Sequence, residues 1–568
     1  MERASTEGLT IERWFFLVWF VITVWLFACA ALIGGEYGDG YQTIINGRYF
    51  FGDSTLYFIQ RGPLPGLVLW PVEMFVQWFN WNLVDVRPYH FYSAFLHSLY
   101  LIGCWFLIKR IEGTLAAQFL AFVAAILTVV FYAYAPYLSH DIIPGLAFLY
   151  LIFLCHQWIK RPSCFGAVLM VVVGTLVTFI KQTYAIFWVV LIIYSIVACI
   201  FKFDDSLVTR KKLSILLVLS SISGLISWIG YGYLLRMEIP DVFILSRPFV
   251  LMNAVSLQYG DSFSSIFTQE LYLLNAYNYG VSAILLIIPG VIYALFGTDS
   301  RLRMVSFCWL LCLIILQLIK FREVRYLAFL APLTAVLIVP VIQVAIKKRA
   351  LKFVLIGIVL IDQFRGWSLS AQQLSSVAQF DIVEFLDAPQ GKGRVIASKS
   401  LSFVYMAESP LERDPYHGIY HLTAHQIYYL YEGKNSVAMV DDPRDMGGVG
   451  IESGDRVYFT NNELIRKMPW RSDNTPYGLA ELLIVAGDAS SIELKREGLE
   501  YKVVGGWRGY VMLIPSESVG KTMPVLISES ASVEQMSKLY GDVLEQDSIY
   551  VTGVLVKALC LADQCVFR

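Results

Sequence analysis

Apolar runs long enough to cross the hydrocarbon core of a bilayer, which takes about 20 residues, recur from Trp14 to Arg365 and then stop. Hydrophobic residues make up 57% of the chain and charged residues 16%, and the mean hydropathy is +0.60, far from the average of soluble globular proteins. We therefore predict a multi-spanning α-helical membrane domain over residues 1–367. Residues 368–568, about 200 in number, have the length and composition of a water-soluble domain.

The same division separates the charge. Residues 1–367 carry a net charge of +7 and residues 368–568 a net charge of −8. The acidic domain argues against nucleic-acid binding, and the basic membrane half suits anionic lipid. No cleavable signal peptide is expected, because the first apolar run follows a mixed-charge segment and lacks a small-residue cleavage site.

The apolar runs predict about eleven spans by length. With the N-terminus inside, the strong basic flanks all fall in one set of loops, so the positive-inside rule predicts a cytoplasmic N-terminus. The odd number of spans then places residues 368–568 outside the cytoplasm, and a bacterial inner membrane is the expected location. The predicted spans are residues 14–33, 88–108, 116–135, 142–159, 165–180, 184–200, 213–235, 281–296, 304–319, 326–346 and 353–364.

One apolar run, residues 63–79, does not fit this pattern. It contains three prolines, which disrupt a regular helix, and the acidic Glu73. Counting it as a span would place the basic clusters outside. We predict an interfacial segment on the outer leaflet, within a long first outer loop of residues 34–87.

The first outer loop is rich in paired charge among aromatic residues. Carboxylates beside a bilayer are costly to desolvate, so a cluster of them indicates a functional site. The alternative is an ordinary polar connector between two helices, which the length and charge of the loop disfavour. The charged residues are Glu36, Asp39, Asp53, Arg48 and Arg61.

Four basic residues at predicted outer helix ends break the inside rule: Lys181 in TFIKQTY, and Lys320, Arg322 and Arg325 in LIKFREVRY. Snorkelling from helix ends or pairing with Glu323 would explain any single one. Together, on the same side as the acidic loop, they favour a phosphate site.

Several motifs in residues 1–349 resemble those of the GT-C membrane glycosyltransferases, including the aminoarabinose lipid A transferase and protein O-mannosyltransferase types. The chain has Gly62-Pro63 where that family often has Pro-Pro. The matching motifs are Asp39-Gly40-Tyr41 with NGRYF (46–50), RGPLPGLVLWP (61–71), APYLSHDIIPGLAFLYLIF (135–153), Gly174 with Lys181, and Arg325-Tyr326 followed by Pro332.

The resemblance implies a GT-C fold and transfer of a sugar from a polyprenyl-phosphate carrier to an extracytoplasmic lipid, glycan or protein. It implies that Asp39 is the general base and that Asp141 orients the acceptor or a metal, with His140 assisting. Either aspartate alternatively caps the helix that follows it. A divalent cation (Mg, Mn or Zn) held by Asp39, Asp141 and His140 is compatible with this family.

The resemblance also implies a set of residues that bind the donor phosphate and stabilise its charge. Three further residues of the first loop complete the expected site: Glu36, Tyr41 and Arg48. The expected phosphate ligands are Arg61, Lys181, Lys320, Arg322, Arg325 and Tyr326.

The C-terminal domain is predicted to be α/β, with strands at 393–398, 436–440, 481–487 and 510–515 and a helix at 380–386. Its role would be acceptor recognition or covering the site. Cys560 and Cys565 are expected to form a disulfide, the alternative being two free thiols. The pattern His417, His421, His425 fits a metal site less well than a polar helix face, because it lacks the glutamate of HExxH.

Two functions without transfer chemistry compete with the enzyme: a transporter or flippase for lipid-linked sugars, and a non-catalytic scaffold. A transporter should have broken helices near the midplane and repeat symmetry, and the sequence shows no clear sign of either. The polar run 238–278 could cover a donor lipid or simply connect two spans.

Overall fold

The computed structural model divides the chain into two compact units, residues 1–31, 58–73 and 87–372, and residues 32–57, 74–86 and 373–568. The structure does not describe the side chains of Asp39, Tyr41 and Arg325 or those of the strands. The predicted boundary at 367/368 stays a prediction. The structure describes residues 2–33, 36, 38–51, 62–81, 85–201, 210–237, 242–248, 280–318, 324–377, 395–398, 429–432, 435–440, 456–460, 479–486, 509–514, 554–561 and 564–567.

Helices occupy nearly all of the described residues up to Val377. Short 3₁₀ helices lie at Gln182–Ala185, Leu235–Met237 and Val324–Leu330. The α-helices are α1 Glu2–Leu32, α2 Gly38–Phe51, α3 Pro63–Leu67, α4 Trp70–Trp78, α5 Arg87–Ile108, α6 Leu115–Ala125, α7 Val129–Tyr134, α8 Ile143–Lys160, α9 Cys164–Ile180, α10 Ile186–Phe201, α11 Arg210–Leu234, α12 Val281–Phe296, α13 Ser300–Leu318, α14 Ala331–Lys347 and α15 Arg349–Val377.

These helices make the chain an α-helical membrane protein. Five segments of the described residues are long and apolar enough to cross a bilayer, Thr10–Leu32, Arg87–Ile108, Ile143–Lys160, Lys211–Leu234 and Tyr326–Lys347. Large apolar side chains cover their outward surfaces, as lipid contact requires: Phe20 is 59% exposed and Phe106 58%. Each of the eleven predicted spans contains a described helix, but the number that cross the membrane stays a prediction.

One predicted span is wrong in detail. The run 116–135 is two helices, because α6 ends at Ala125 and α7 begins at Val129. Thr128 starts the second helix by accepting a hydrogen bond from the amide of Phe131 through its Oγ1 (3.4 Å). A broken apolar helix is therefore present, contrary to the expectation from sequence.

The interrupted run 63–79 forms the short helices α3 and α4, neither long enough to cross a hydrocarbon core, as predicted. In α4, Trp70 and Trp78 are 51% and 82% exposed while Val72 and Val76 are buried. Large aromatic side chains thus lie on the exposed face of α4, and the interfacial position stays a prediction.

Basic flanks gather at one end of the helical unit. At this basic end, Arg301 Nη1 donates to the carbonyl of Arg110 (3.1 Å), and Lys212 Nζ donates to the carbonyl of Ile159 (2.7 Å). Both contacts join the start of one helix to the end of another. Asp141 precedes the opposite end of α8, about 27 Å away along an 18-residue helix.

The strands form a mixed eight-stranded sheet in the order β2-β3-β1-β4-β5-β6-β7-β8. All four predicted strands are present, as β1, β3, β5 and β6. The α/β class stays a prediction, because the predicted helix at 380–386 lies outside the described residues. The histidine pattern at 417–425 lies outside them as well. The strands are β1 Val395–Ser398, β2 Tyr429–Glu432, β3 Asn435–Val440, β4 Arg456–Thr460, β5 Leu479–Ala486, β6 Gly509–Ile514, β7 Val554–Leu561 and β8 Gln564–Phe567.

Candidate functional site

A buried charged cluster lies at the end of the helical unit where α8 begins and α9 ends. We name it the Asp141 cluster; it consists of Asp141, Lys181, Tyr184 and Tyr326. Oδ1 of Asp141 accepts a hydrogen bond from the hydroxyl of Tyr184 (2.6 Å) and forms an ion pair with Nζ of Lys181 (3.4 Å). The ammonium of Lys181 lies 4.7 Å from the ring centroid of Tyr326, within the range of a cation–π interaction.

The link between α9 and α10 positions two members of this cluster. Lys181 terminates α9 in an extended conformation, and the following 3₁₀ helix carries Tyr184. The two helices approach closely at Gly174, where a Cβ atom would overlap the ring of Trp188. Trp188 Nε1 donates to Oγ1 of Thr178 (3.0 Å), which locks the two helices beside the link. The Gly174–Lys181 pattern of the sequence thus reflects packing that places Lys181.

Asp141 lies just before α8 and does not cap it. The N-cap residue is Ile142, whose side chain makes no cap hydrogen bond, so Asp141 is not the N-cap and that alternative is wrong. Gly145, in the first turn of α8, allows the backbone of Phe329 to come close: a Cβ at Gly145 would lie 2.8 Å from the Phe329 Cα. This contact brings the 3₁₀ helix that bears Tyr326 against α8.

Burial decides the electrostatics of the pair. Lys181 is 4% exposed and Asp141 1%, so the ammonium does not reach solvent by snorkelling. Two charges buried together persist because each neutralises the other and because hydrogen bonds support them. The sequence predicted a phosphate for Lys181 and an acceptor or metal for Asp141, whereas the structure pairs the two residues with each other.

A second buried polar group adjoins the loop that carries Asp141. Tyr89 Oη donates to Oε1 of Glu73 (2.9 Å), and Glu73 is 1% exposed. The neighbouring His90 packs edge-on against Tyr137, with ring centroids 6.2 Å apart. Ser93 Oγ donates to the Tyr137 carbonyl (2.9 Å), fixing the loop from the side of α5.

The RGPLP motif also adjoins this end of the unit. Gly62 has φ of +45°, and a Cβ there would lie 2.7 Å from the carbonyl oxygen of Ile180, next to Lys181. Proline cannot adopt a positive φ, which explains the departure from Pro-Pro. Arg61, the expected phosphate ligand in this motif, lies outside the described residues.

Four of the predicted first-loop site residues, Glu36, Asp39, Tyr41 and Arg48, belong to the second compact unit. Asp39 and Tyr41 lie in the first turn of α2, so Asp39 is a helical residue there. Arg48 is 1% exposed and Glu36 3%, and the Glu36 side chain folds against Gly40. Both charged residues are therefore buried.

Several predicted ligands are not tested. Asp53, Lys320 and Arg322 lie outside the described residues, and of Arg325 only the backbone is described. Among the residues whose side chains are described, no group of three or more His, Cys, Asp or Glu could hold a metal. His140 is buried beside Asp141, and together they would supply two ligands.

Comparison with known proteins gives the fold. No protein-family model matches the chain, and no curated protein matches it significantly in sequence. The crystal structure of the aminoarabinose transferase ArnT from Cupriavidus metallidurans bound to undecaprenyl phosphate covers 81% of this chain and 95% of its own, with a TM-score of 0.50 and 12% identity. This chain has the GT-C fold.

Two further structures with the GT-C fold match less well. The apo form of the same ArnT has a TM-score of 0.46 at 13% identity and covers 83% of this chain and 96% of its own. The Archaeoglobus fulgidus oligosaccharyltransferase in complex with Zn and sulfate has a TM-score of 0.42 at 11% identity and covers 67% of this chain and 61% of its own.

Sequence reasoning did not assign Tyr184 or Glu73 to the site, and it missed Gln363, which accepts a hydrogen bond from the hydroxyl of Tyr132 in the helix before the Asp141 loop (2.8 Å). Tyr184 was visible as the last residue of the polar KQTY link beside Lys181. Glu73 and Gln363 were visible as polar residues inside apolar runs, which at membrane depth indicate a specific partner.

Proposed function

We propose that this chain transfers a sugar from a polyprenyl-phosphate carrier to an extracytoplasmic lipid, glycan or protein. It would act in a bacterial inner membrane, with the N-terminus in the cytoplasm. The observation that carries the proposal is the buried Asp141 cluster on a GT-C fold, since the same fold in ArnT was crystallised with undecaprenyl phosphate. A buried carboxylate and ammonium at a helix end are more than a lipid-facing bundle needs for stability.

The chemistry requires one base and several cations. Asp39 would take the proton of the acceptor's hydroxyl as that oxygen bonds to the anomeric carbon of the sugar. The bond from that carbon to the phosphate oxygen breaks, and its electron pair stays on the polyprenyl phosphate. Because this leaving group is already a good anion, no second carboxylic acid has to protonate it, unlike in ordinary glycoside hydrolysis.

Cations would stabilise the charge that develops on the leaving phosphate. In the structure Lys181 contacts Asp141, so donor binding would exchange one anionic partner of Lys181 for another. Tyr326, whose ring lies against the same ammonium, would accompany that exchange. The other proposed phosphate ligands are Arg61, Lys320, Arg322 and Arg325.

A metal ion fits the described residues poorly. Asp141 Oδ1 is engaged by Tyr184 and Lys181, and His140 and Asp141 alone are too few ligands for Mg, Mn or Zn. A metal would need Asp39 as well. We therefore assign no step of the reaction to a metal.

The break between α6 and α7 favours a second candidate function, a transporter of lipid-linked sugars, because transporters use broken helices to form their binding sites. In this chain, however, the carbonyls of Val123 and Leu127 at the break accept hydrogen bonds from Gln363. Because both carbonyls are already hydrogen-bonded to another part of the protein, the break gives the transporter hypothesis little support.

The test uses purified protein in lipid with a panel of polyprenyl-phosphate sugars and membrane extract as acceptor. Release of free polyprenyl phosphate is measured for the wild type, for Asp39→Asn and for the control Asp85→Asn. Asp85 is a carboxylate of the same loop, held by Trp81 Nε1 (3.1 Å), and its variant should retain activity.

We expect release by the wild type and by Asp85→Asn and none by folded Asp39→Asn. Wild-type activity in Asp39→Asn would reject Asp39 as the base. Donor binding without release in any variant, together with movement of the donor across vesicle membranes, would establish the transporter. Binding without release or movement would indicate a scaffold.

A further inference from the structure

The break between α6 and α7 leaves backbone carbonyls without helical partners, and one side chain binds two of them. Nε2 of Gln363, on α15, donates to the carbonyls of Val123 (3.1 Å) and Leu127 (2.8 Å). A primary amide has two donor hydrogens, so both are used. Because a carbonyl without a partner is costly at membrane depth, this side chain makes the break tolerable.

The same amide also binds the helix that follows the break. The hydroxyl of Tyr132, on α7, donates to Oε1 of Gln363 (2.8 Å). The ring of Tyr132 packs against Trp25 and Trp367, with ring centroids 5.3 Å away from each. Gly366 permits this approach, since a Cβ there would meet the Tyr132 ring. Gln363 therefore fixes the end of α6 and the middle of α7 at once.

Helix α7 leads directly to the loop that carries Asp141. All six of its residues, Val129–Tyr134, are buried, and the loop beyond it is held at the Tyr137 carbonyl by Ser93. Any shift of α7 about the break would consequently displace the loop that ends at Asp141. A misplacement of about 1 Å can cost an enzyme about 100-fold in rate.

The neighbouring residue on α15 has a comparable role at another helix. Asp362 accepts hydrogen bonds from the amides of Val281 (3.1 Å) and Ser282 (2.7 Å) and so caps α12. Residues 362 and 363 thus hold three helices, α6, α7 and α12, against α15. This one turn of α15 is an anchor for the helices around it.

We infer that Gln363 is a positioning residue for Asp141, acting through the α6–α7 break. The inference rests on the proposed transfer function, in which Asp141 would orient the acceptor. Its structural part is independent of that role: Gln363 holds residues 126–142 in place whether or not the chain transfers a sugar.

The experiment compares Gln363→Leu with the matched control Gln118→Leu. Gln118 does the same task at the basic end of the unit, where its Nε2 donates to the carbonyl of Ile111 (2.7 Å) just beyond α5. Both variants remove a glutamine whose amide binds backbone carbonyls beyond a helix end, so a general loss of stability should be similar. Amide hydrogen exchange is measured over residues 126–142 in the full-length protein in lipid, without substrates.

We expect Gln363→Leu to raise exchange over residues 126–142 about tenfold and Gln118→Leu to leave it unchanged. In the transfer assay, kcat of Gln363→Leu should fall about tenfold with the KM for the donor unchanged. If Gln363→Leu does not fold, Tyr132→Phe provides a milder test, since it removes only the bond to Oε1.

Equal exchange over residues 126–142 in both glutamine variants would overturn the inference. Faster exchange with an unchanged kcat would also overturn it, because Gln363 would then stabilise the loop without positioning Asp141. If the wild type itself transfers no sugar, the proposed function fails, and the exchange data still show whether Gln363 holds the loop.

Discussion

The hydroxyl of Tyr184 lies 2.6 Å from Oδ1 of Asp141, closer than the ammonium of Lys181, which is 3.4 Å from the same atom. The nearer partner of this carboxylate is thus the neutral donor. Hydrogen bonds from a neutral donor to a charged acceptor are short and about twice as strong as those between neutral groups. Tyr184 therefore orients Asp141, while Lys181 balances its charge.

Tyr184→Phe should weaken this orientation without removing the charge balance. We expect a loss of about 1.5–3 kcal/mol in the free energy of unfolding, because the buried carboxylate loses a charge-assisted hydrogen bond. Transfer activity should fall as well, since Asp141 loses its closest constraint. Denaturant unfolding in detergent and the polyprenyl phosphate assay measure the two effects.

Tyr293→Phe is the matched control for that change, because Tyr293 on α12 is 54% exposed. Loss of the Tyr293 hydroxyl should change neither the free energy of unfolding nor the transfer activity. An equal effect of the two phenylalanine variants would contradict the assigned role of Tyr184.

Breaking the Asp141–Lys181 pair from one side should be strongly destabilising. We expect Lys181→Met to cost about 3–5 kcal/mol in the free energy of unfolding, because it leaves Asp141 buried without its counter-charge. Asp141→Asn should lower the free energy of unfolding by a comparable amount, because it leaves the Lys181 ammonium buried without its counter-charge. The double variant should be less destabilised than the sum of the two single variants, and a double-mutant cycle measures that coupling.

The pair Glu12–Lys109 provides the control, since its side chains are 40% and 31% exposed. A surface ion pair contributes about 0.2–1 kcal/mol, so its cycle should give a small coupling that salt screens. Similar coupling energies in the two cycles would mean that Asp141 and Lys181 are solvated rather than buried together.

Gly62→Ala should destabilise the contact between the RGPLP motif and the end of α9. The positive φ of Gly62 and the nearness of the Ile180 carbonyl leave no room for a Cβ. We expect a loss of more than about 1 kcal/mol, measured by thermal or denaturant unfolding. Gly224→Ala in α11, where a Cβ would meet nothing within 4 Å, should instead be neutral or stabilising. Equal effects at both sites would show that the close approach at Gly62 is absent.

The sequence predicted the elements far better than the contacts between them. Apolar runs located the helices because burial in lipid and burial in protein both demand apolar residues at helical length. The four strands that were predicted contain apolar runs. Strand β7 contains such a run as well, but the sequence analysis did not single it out. The break at residues 126–128 was missed because its compensation lies in Gln363, more than 230 residues away in the chain.

For the site, the predicted order of spans and loops placed Asp141 and Lys181 at the same end of the helices but could not pair them. Their partnership depends on Gly145, Gly174 and Gly62, which set how closely the backbones approach. No local sequence pattern indicates which close contact each glycine permits. Tyr184 was overlooked for the same reason: its hydroxyl becomes relevant only when the link after α9 faces the loop before α8.

The two C-terminal cysteines are expected to be disulfide-bonded if residues 368–568 lie outside the cytoplasm. Cys560 on β7 and Cys565 on β8 are register partners in an antiparallel strand pair. Directly opposed residues in such a pair have Cα atoms about 4.5–5.5 Å apart, within the range that a disulfide spans. Alkylation of the denatured protein, followed by mass spectrometry with and without prior reduction, distinguishes a disulfide from two thiols. Cys164, free and exposed at the start of α9, verifies that the reagent reacts under both conditions. Both cysteines should become alkylated only after reduction, and their alkylation without reduction would reject the disulfide.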